Sequence, residues 1–338
     1  MWLAAVLLVG ALTGSVVSAQ DPEGQETCLR EMDDPEPVIS ACTRAIQAGL
    51  AESPLAAVYF RRGIAYEKKG DHEQAIRDFS QAIQLAPDSA NAFLNRGVAH
   101  REKGDVDRAI EDFAQAIRLR PTSALAWRGR AELYLDYKED YERAVADYGE
   151  AVRLEPTNPG YANGLGVAYA NEGEYKRAID EFSRAIRLDP NGSYYYYNRG
   201  MAYFDQGEFV EAVPDFTKSA ELLSDSLYRK LFIYLAQTRS GQNGLETLAR
   251  STQSANLERW PGPVVSLYLG KLAFDALTLP NNPGQICEAH FYIGEYLLIK
   301  GRGAEAIGHF TESLAKCAHN HYEYWSARAE LRGMRNRK

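Results

Sequence analysis

Apolar residues in the central half of this chain recur with the spacing of amphipathic helices. Between residues 56 and 226, apolar stripes with a period of three to four residues alternate with short polar turns. Glycine lies in four of these turns, at positions 70, 104, 173 and 207. Because glycine ends a helix easily and lets the chain reverse, the pattern predicts antiparallel helical hairpins.

One set of residues recurs with this pattern about every 34 positions. Each copy has a small residue, an aromatic residue or histidine three positions later, an alanine and a second aromatic residue, and a proline closes the first four copies. The first two positions are occupied by Gly63, Gly97, Ala131, Gly166 and Gly200, and by Tyr66, His100, Tyr134, Tyr169 and Tyr203. The remaining positions are occupied by Ala75, Ala109, Ala144, Ala178 and Ala212, by Phe79, Phe113, Tyr148, Phe182 and Phe216, and by Pro87, Pro121, Pro156 and Pro190.

This series resembles the tetratricopeptide repeat (TPR). The resemblance implies an all-α fold, a right-handed superhelix of stacked helical hairpins (an α-solenoid) in which each hairpin covers the apolar flank of its neighbour. Five repeats are predicted, at residues 56–89, 90–123, 124–158, 159–192 and 193–226.

Arginine and aspartate lie at equal distances from the predicted turn in four of the five repeats. Because such residues lie level across an antiparallel hairpin, we expect an ion pair in each, contributing about 0–1 kcal/mol if exposed. The pairs are Arg62–Asp78, Arg96–Asp112, Arg130–Asp147 and Arg199–Asp215. The fourth repeat has Leu165 instead of arginine, so Glu181 lacks this partner.

The N-terminus has the composition of an export signal. An apolar run from Trp2 to Leu12 precedes the small residues Val17 and Ala19, which predicts cleavage after Ala19. A retained membrane anchor is the alternative, but the run is shorter than the roughly 20 apolar residues of a spanning helix. No cysteine follows the run directly, so no lipid anchor is expected.

The four cysteines form two pairs, each symmetric about a predicted turn near one end of the array. Cys28 and Cys42 flank a turn centred on Pro35, and Cys287 and Cys317 flank a turn rich in glycine. In an exported protein this placement favours the disulfides Cys28–Cys42 and Cys287–Cys317. Free buried thiols are the alternative, and a zinc site fits less well because neither pair has Cys-x-x-Cys spacing.

Segments outside the repeats complete the predicted organisation. They are a signal peptide at 1–19, a variant hairpin at 20–55, connecting helices at 227–286, a diverged repeat at 287–320, and a capping helix with its tail at 321–338. The composition, with 45% hydrophobic and 25% charged residues, predicts an ordered chain. The formal net charge of −8 argues against a nucleic-acid partner.

The C-terminal third carries a more specific resemblance. Four segments match, in order and spacing, the NlpI-type periplasmic lipoproteins of bacteria: Tyr234–Gln237, Trp260–Gly270, Phe291–Tyr296 and His319–Tyr324. The resemblance implies a homodimeric periplasmic scaffold that docks a tail-specific protease and delivers cell-wall hydrolases to it. Since this chain lacks the lipid-bearing cysteine of that family, we expect it to be free in the periplasm.

The resemblance to tetratricopeptide repeats also indicates a binding face, because the first helix of each repeat lines the concave side in that family. The corresponding partner-binding residues are Phe60, Ile64, Leu94, Val98, Arg128, Glu132, Asn163, Val167, Tyr194, Tyr197 and Met201. We expect Tyr194 and Tyr197 to project into the groove and Tyr196 to pack between helices; the alternative is that all of them only pack. Phe60 and Ile64 replace the basic residues that clamp a peptide carboxylate in some relatives, so that mode is not predicted.

No P-loop, GxSxG, HExxH or dinucleotide-binding motif is present. His309, His319, His321 and Glu323 can be drawn as a metal cluster, but His319 and His321 face different sides of a helix. We therefore predict a non-enzymatic protein with no metal or cofactor, whose partners are proteins or peptides. The hypotheses are a periplasmic adaptor, a general peptide-binding assembly factor for an envelope complex, and a hydrolase that uses the C-terminal histidines.

Overall fold

A computed structural model describes Cys28 and residues 34–223, 226–318 and 321–336. The predicted signal peptide lies outside the described residues. Within the described part the chain forms 17 α-helices and no strand, which confirms the all-α prediction. The helices are α1 (Pro35–Gln47), α2 (Glu52–Lys69), α3 (His72–Leu85), α4 (Ala90–Glu102), α5 (Val106–Leu119), α6 (Ala124–Asp136), α7 (Tyr141–Leu154), α8 (Pro159–Glu172), α9 (Tyr175–Leu188), α10 (Ser193–Gln206), α11 (Phe209–Leu222), α12 (Leu227–Arg239), α13 (Gly244–Ser251), α14 (Gly262–Tyr268), α15 (Pro283–Ile299), α16 (Gly303–Lys316) and α17 (Tyr322–Asn336).

These helices fall into two compact units, one ending at Pro121 and the other beginning at Thr122. In the first unit, α2/α3 and α4/α5 are hairpins that stack through α3 and α4, and α1 packs on α2. In the second, α6/α7, α8/α9 and α10/α11 stack in the same way. The predicted stacking of helical hairpins is therefore confirmed within each unit. None of the described helices combines the length and apolar character that crossing a bilayer requires.

Close packing inside a hairpin depends on the small and aromatic positions of the repeat. A Cβ atom on Gly63 would lie 2.7 Å from the buried ring of Phe79, so only glycine lets α2 approach α3 this closely. At the turn, Gly70 has a φ of 80°, in the left-handed region that glycine tolerates. The third repeat has no glycine at its turn, and Glu139 takes a φ of 51° instead.

All four predicted Arg–Asp pairs are present, and they are buried. Each arginine donates from Nε at 2.7–2.8 Å to Oδ2 of its aspartate and from Nη2 to Oδ1. Because the aspartates are only 3–4% exposed, the small contribution expected of exposed pairs does not apply. In three pairs Nη1 also donates to a hydroxyl on the preceding helix of the stack: Thr43, Ser80 and Ser183. These arginines therefore link one layer of the stack to the next.

The fourth repeat interrupts this series, as its sequence predicts. Leu165 is buried where the other repeats have arginine. Within the described part of the chain Glu181 Oε2 accepts no hydrogen bond, and it lies 3.7 Å from Nη1 of Arg184. Burial consequently raises the pKa of Glu181.

The C-terminal helices pack around aromatic residues. Phe232 of α12 lies between Phe216 and Phe291, with ring centroids 5.4 and 6.0 Å away. The helices α15 and α16 form another hairpin, in which Gly294 packs against Phe310 as Gly63 packs against Phe79. This end of the second unit thus has its own aromatic core.

Both predicted cysteine pairs lie at disulfide distance. The Cα atoms of Cys28 and Cys42 are 4.7 Å apart, and those of Cys287 and Cys317 are 4.9 Å apart. The first pair ties Cys28 to α1, and the second joins α15 to the end of α16. Pro35 does not lie in a turn, because Asp34 caps the helix by accepting the amide of Glu36 and proline suits the first helical position.

The connecting region contains one further difference from the predicted elements. Among the connecting helices predicted at 227–286, the sequence favours one from Pro263 to Leu277, but α14 ends at Tyr268. The reason is Gly270, whose φ of 68° turns the chain out of the helix.

Candidate protein-binding surface

The first helices of the second unit's hairpins, α6, α8 and α10, carry seven of the predicted binding residues. They are Arg128, Glu132, Asn163, Val167, Tyr194, Tyr197 and Met201. The C-terminal helix α17 packs against α10 and α15. It therefore covers part of the predicted surface and leaves another part open.

Polar and aromatic contacts hold α17 on α10. The hydroxyl of Tyr322 donates to Oδ1 of Asn198 at 2.8 Å, and its ring meets Tyr197 edge to face at 4.9 Å. One turn further along α17, Ser326 Oγ donates to Oδ1 of Asp205 at 2.6 Å. These contacts bring residues together that lie more than 120 positions apart in the sequence.

The expectation that Tyr197 projects into an open groove does not hold. Its ring lies between Tyr322 and Phe232 of α12, and only 8% of its surface is exposed. Met201, one turn further along α10, is 4% exposed and lines a cavity of about 160 Å³ together with Val167 and Trp325. The reason is that α17, a helix outside the repeats, packs on α10, the first helix of the last repeat.

The open part of the surface lies on α6 and α8. Four predicted residues, Arg128, Glu132, Asn163 and Tyr194, line one cavity of about 440 Å³. Its other lining residues, which the sequence analysis missed, are Leu125, Tyr148, Asn158, Gly160, Tyr161 and Gly164. Apolar, amide and charged side chains thus share one depression, which we call the α6–α8 groove.

Tyr194 is positioned in the α6–α8 groove by its neighbour in the sequence. Its hydroxyl donates to that of Tyr195 at 2.8 Å, and the two ring centroids are 4.1 Å apart. Tyr195 is 2% exposed, whereas Tyr194 keeps 47% of its surface exposed. Tyr196 is half-buried, with the guanidinium of Arg199 6.0 Å from its ring centroid. Of the tyrosines considered for the groove, Tyr194 is the accessible one.

In the first unit, the predicted residues Phe60, Ile64, Leu94 and Val98 are all half-buried. The ring of Phe60 lies 5.8 Å from that of Phe79, so it takes part in hairpin packing. These residues present less free apolar surface than Leu125 and Tyr194 do in the second unit.

A polar cluster lies where α15 meets the start of α17. Glu288, His321 and Glu323 each bring one potential ligand atom to within 4.8 Å of the others. Glu323 is 5% exposed, and burial together with the charge of Glu288 raises its pKa to about 7. Glu288 was not among the residues that the sequence analysis considered.

The other histidines of the predicted C-terminal cluster do not join this group. His309 lies beside His290, with their Nδ1 atoms 3.1 Å apart. His319 lies outside the described residues. The structure therefore places His309 and His321 in two different environments.

Further along α17, Glu330 shares a cation with Glu295 of α15. Nη1 of Arg239 donates to Glu295 Oε2 and to Glu330 Oε1, both at 2.9 Å. Glu295 is completely buried, and its Oε1 accepts no hydrogen bond from any residue that the structure describes. Because one guanidinium serves two carboxylates, burial and the charge of Glu330 raise the pKa of Glu295 to about 8.

Comparison with solved structures agrees with the observed fold. The structure of YrrB, described as a TPR protein with an unusual peptide-binding site, is 21% identical with a TM-score of 0.50, covering 56% of this chain and 96% of YrrB. The structure of Pseudomonas aeruginosa pilF is 18% identical with a TM-score of 0.52, covering 65% of this chain and 97% of pilF. At these identities the likeness concerns the fold alone. No curated protein matches the chain.

Comparison with family profiles identifies the repeats themselves. One profile of the tetratricopeptide repeat matches residues 60–124, 94–139 and 133–193, and a second matches residues 193–226. The matches run without a gap across the hairpins α2/α3 to α10/α11. Residues 60–226 of this chain are therefore tetratricopeptide repeats.

Proposed function

We propose that this protein is a non-catalytic scaffold that binds an extended segment of a partner protein in the α6–α8 groove. Tetratricopeptide repeats generally mediate protein–protein interactions or peptide binding. The observation that carries the proposal is the exposure of Leu125 and Tyr194, at 53% and 47%, on the walls of this groove. An apolar leucine and a tyrosine held by a hydrogen bond give contact area at a low entropic cost.

The polar groups of the groove suit the backbone of an extended peptide. Such a segment has backbone N–H and C=O groups without internal partners, and side-chain amides bind both. Asn158 and Asn163 line the groove, and Asn198 donates to Oδ1 of Asn163 at 2.8 Å, which orients this amide. Arg128 donates to Glu132 at 2.7 Å and places a charged pair beside the amides.

We further propose that the scaffold works in the periplasm, as an adaptor that brings cell-wall hydrolases or other clients to a tail-specific protease. The resemblance of the C-terminal third to NlpI-type lipoproteins supports this role and a homodimeric state. The apolar N-terminal run and the two cysteine pairs at disulfide distance fit an exported protein. An assembly factor for an envelope complex is the second candidate, which the groove supports without the C-terminal resemblance.

The variant Tyr194→Ala tests the groove. Tyr137→Ala is the matched control, because Tyr137 is 56% exposed at the end of α6 and does not line the groove. Partners are captured from an envelope extract by crosslinking, and the affinity of a partner peptide is measured by fluorescence anisotropy. We expect Tyr194→Ala to weaken binding about tenfold, as for an aromatic side chain that the bound partner buries. Tyr137→Ala should leave the affinity unchanged.

Two results would count against these proposals. Equal affinities for Tyr194→Ala and the wild type would remove the α6–α8 groove from the binding mechanism. Capture of envelope assembly components, with neither proteases nor cell-wall hydrolases among them, would replace the adaptor with the assembly factor.

A further inference from the structure

We propose that Glu288, His321 and Glu323 form a binding site for a transition-metal dication, and that zinc suits it best. The three side chains come from α15, from the residue before α17 and from the first turn of α17. Two carboxylates and one imidazole form a ligand set that Zn²⁺ and Mn²⁺ accept, whereas the nitrogen ligand disfavours Ca²⁺ and Mg²⁺.

The distances are close to those of an occupied site. Nδ1 of His321 lies 3.9 Å from Oε1 of Glu288 and 4.0 Å from Oε2 of Glu323. In a tetrahedral zinc site, ligand atoms about 2.1 Å from the metal are about 3.4 Å from one another. A shift of about half an ångström would bring His321 to that distance from each carboxylate, and its side chain, 32% exposed, has room for it. The three ligand atoms all lie within 4.8 Å of one another, so the two carboxylates would approach by at most about 1.4 Å.

Hydrogen bonds from outside the cluster orient both carboxylates. Oε2 of Glu288 accepts from Nε1 of Trp260 at 2.6 Å and from the hydroxyl of Tyr228 at 2.8 Å. Oε1 of Glu323 accepts from the hydroxyl of Tyr292 at 3.3 Å. In each carboxylate one oxygen is held and the other faces His321, which is the arrangement that outer-shell donors give to metal ligands.

The charges of the cluster call for a cation. Glu323 is 5% exposed, yet neither Glu323 nor Glu288 has a lysine or arginine within 4 Å in the described part of the chain. Arg229 lines the same cavity, but its Nε donates to Ser219 and its guanidinium lies 5.3 Å from the Tyr197 ring centroid. Two neighbouring carboxylates repel each other when both are ionised, and a dication between them would remove that repulsion.

The site is also accessible to an ion. It lines a cavity of about 340 Å³, which has room for the water molecules that complete the coordination of an open zinc site. The four cysteines of the chain are paired in disulfides, so thiolates do not compete for the metal. A bound ion would join α15 to the beginning of α17 and so fix the helix that covers Tyr197.

Isothermal titration calorimetry with ZnCl₂ tests this proposal on the full chain after treatment with EDTA and desalting. We expect one zinc ion per chain and at least tenfold weaker binding for His321→Ala and for Glu323→Gln. Zinc should raise the thermal midpoint of the wild type and of His309→Ala more than that of the two cluster variants. His309→Ala is the matched control, because it removes a histidine that lies beside His290 and not in the cluster. Circular dichroism checks that the variants fold, and the Glu323→Gln side chain keeps its shape.

Each outcome decides the proposal. Loss of binding in both cluster variants, with His309→Ala unchanged, supports it. Absence of stoichiometric binding by the wild type overturns it, and so does binding that survives both cluster variants. Loss of binding in His309→Ala alone would assign the ion to the His290–His309 pair and also overturn it.

Discussion

Replacing Asp78 by asparagine tests whether the buried Arg–Asp pairs stabilise the stacked hairpins. Nε and Nη2 of Arg62 donate to the two oxygens of Asp78 at 2.7 and 2.8 Å, and Nη1 donates to Thr43 at 3.0 Å. The side chains of Arg62 and Asp78 are 16% and 5% exposed. Asparagine keeps the shape of aspartate but removes its charge, which leaves a largely buried guanidinium without a counter-charge.

Two limits bound the expected loss of unfolding free energy. Removing one partner costs about 3–5 kcal/mol in a fully buried pair, and exposed pairs contribute about 0.2–1 kcal/mol. Arg62 keeps some contact with solvent and lies 5.6 and 5.9 Å from the ring centroids of Tyr59 and Tyr66, which partly compensate its charge. We therefore expect Asp78→Asn to lower the unfolding free energy by about 2 kcal/mol.

A double-mutant cycle with Arg62→Met isolates the interaction, and urea denaturation followed by circular dichroism measures it. We expect a coupling free energy of about 2 kcal/mol. The exposed pair Arg77–Glu73, which lies on α3 like Asp78 and has side chains 54% and 66% exposed, is the matched control and should give less than about 0.5 kcal/mol. A coupling for Arg62 and Asp78 no larger than that of the control would refute the reasoning.

Three further predictions concern stability and are checked by the same denaturation assay. Gly63→Ala should lower the unfolding free energy by about 1–3 kcal/mol, because its Cβ would lie 2.7 Å from the Phe79 ring. At Gly149 an added Cβ would meet no described atom within 4 Å beyond its own helix backbone, so Gly149→Ala should raise the unfolding free energy by about 0.5–1 kcal/mol. Equal effects of Gly63→Ala and Gly149→Ala would contradict the packing argument. Reduction of the Cys287–Cys317 disulfide, whose cysteines are 30 residues apart, should lower the unfolding free energy by about 3–4 kcal/mol by the chain-entropy relation. An unchanged denaturation midpoint after reduction would argue against this disulfide. The pKa of Glu295 is raised from 4.5 to about 8, so the folded chain binds more protons than the unfolded chain between these values. The unfolding free energy should therefore fall as the pH rises from about 5 to 8. The same dependence of the unfolding free energy on pH in Glu295→Gln would contradict this assignment.

Features that repeat could be predicted from the sequence. The helical hairpins and the Arg–Asp pairs depend on residues of one repeat, so the repeat period predicts them without coordinates. The missing partner of Glu181 followed from the same register. Symmetry about a turn also predicted both cysteine pairs, although Pro35, expected at the centre of the first turn, is the first residue of α1.

Features that do not repeat could not be placed in the same way. Tyr322 reaches Asn198 across 124 positions, and Tyr228 reaches Glu288 across 60. No periodic pattern encodes such contacts, because the docking of α17 depends on shape and on single hydrogen bonds. The prediction for Tyr197 failed for this reason. Tyr194 lines a cavity together with Tyr322 and Glu323 of α17 but is not covered by that helix, and it kept its expected exposure.

The attachment of α17 to the repeats has a thermodynamic consequence for any ligand that approaches Tyr197 and Met201. A helix joined through a short linker competes for its own docking surface at an effective concentration on the order of millimolar. An external segment must displace this built-in competitor, so its apparent dissociation constant is increased in inverse proportion to the undocked population. The affinity that any partner can reach at that end of the repeats is therefore limited by the strength with which the protein binds its own C-terminal helix.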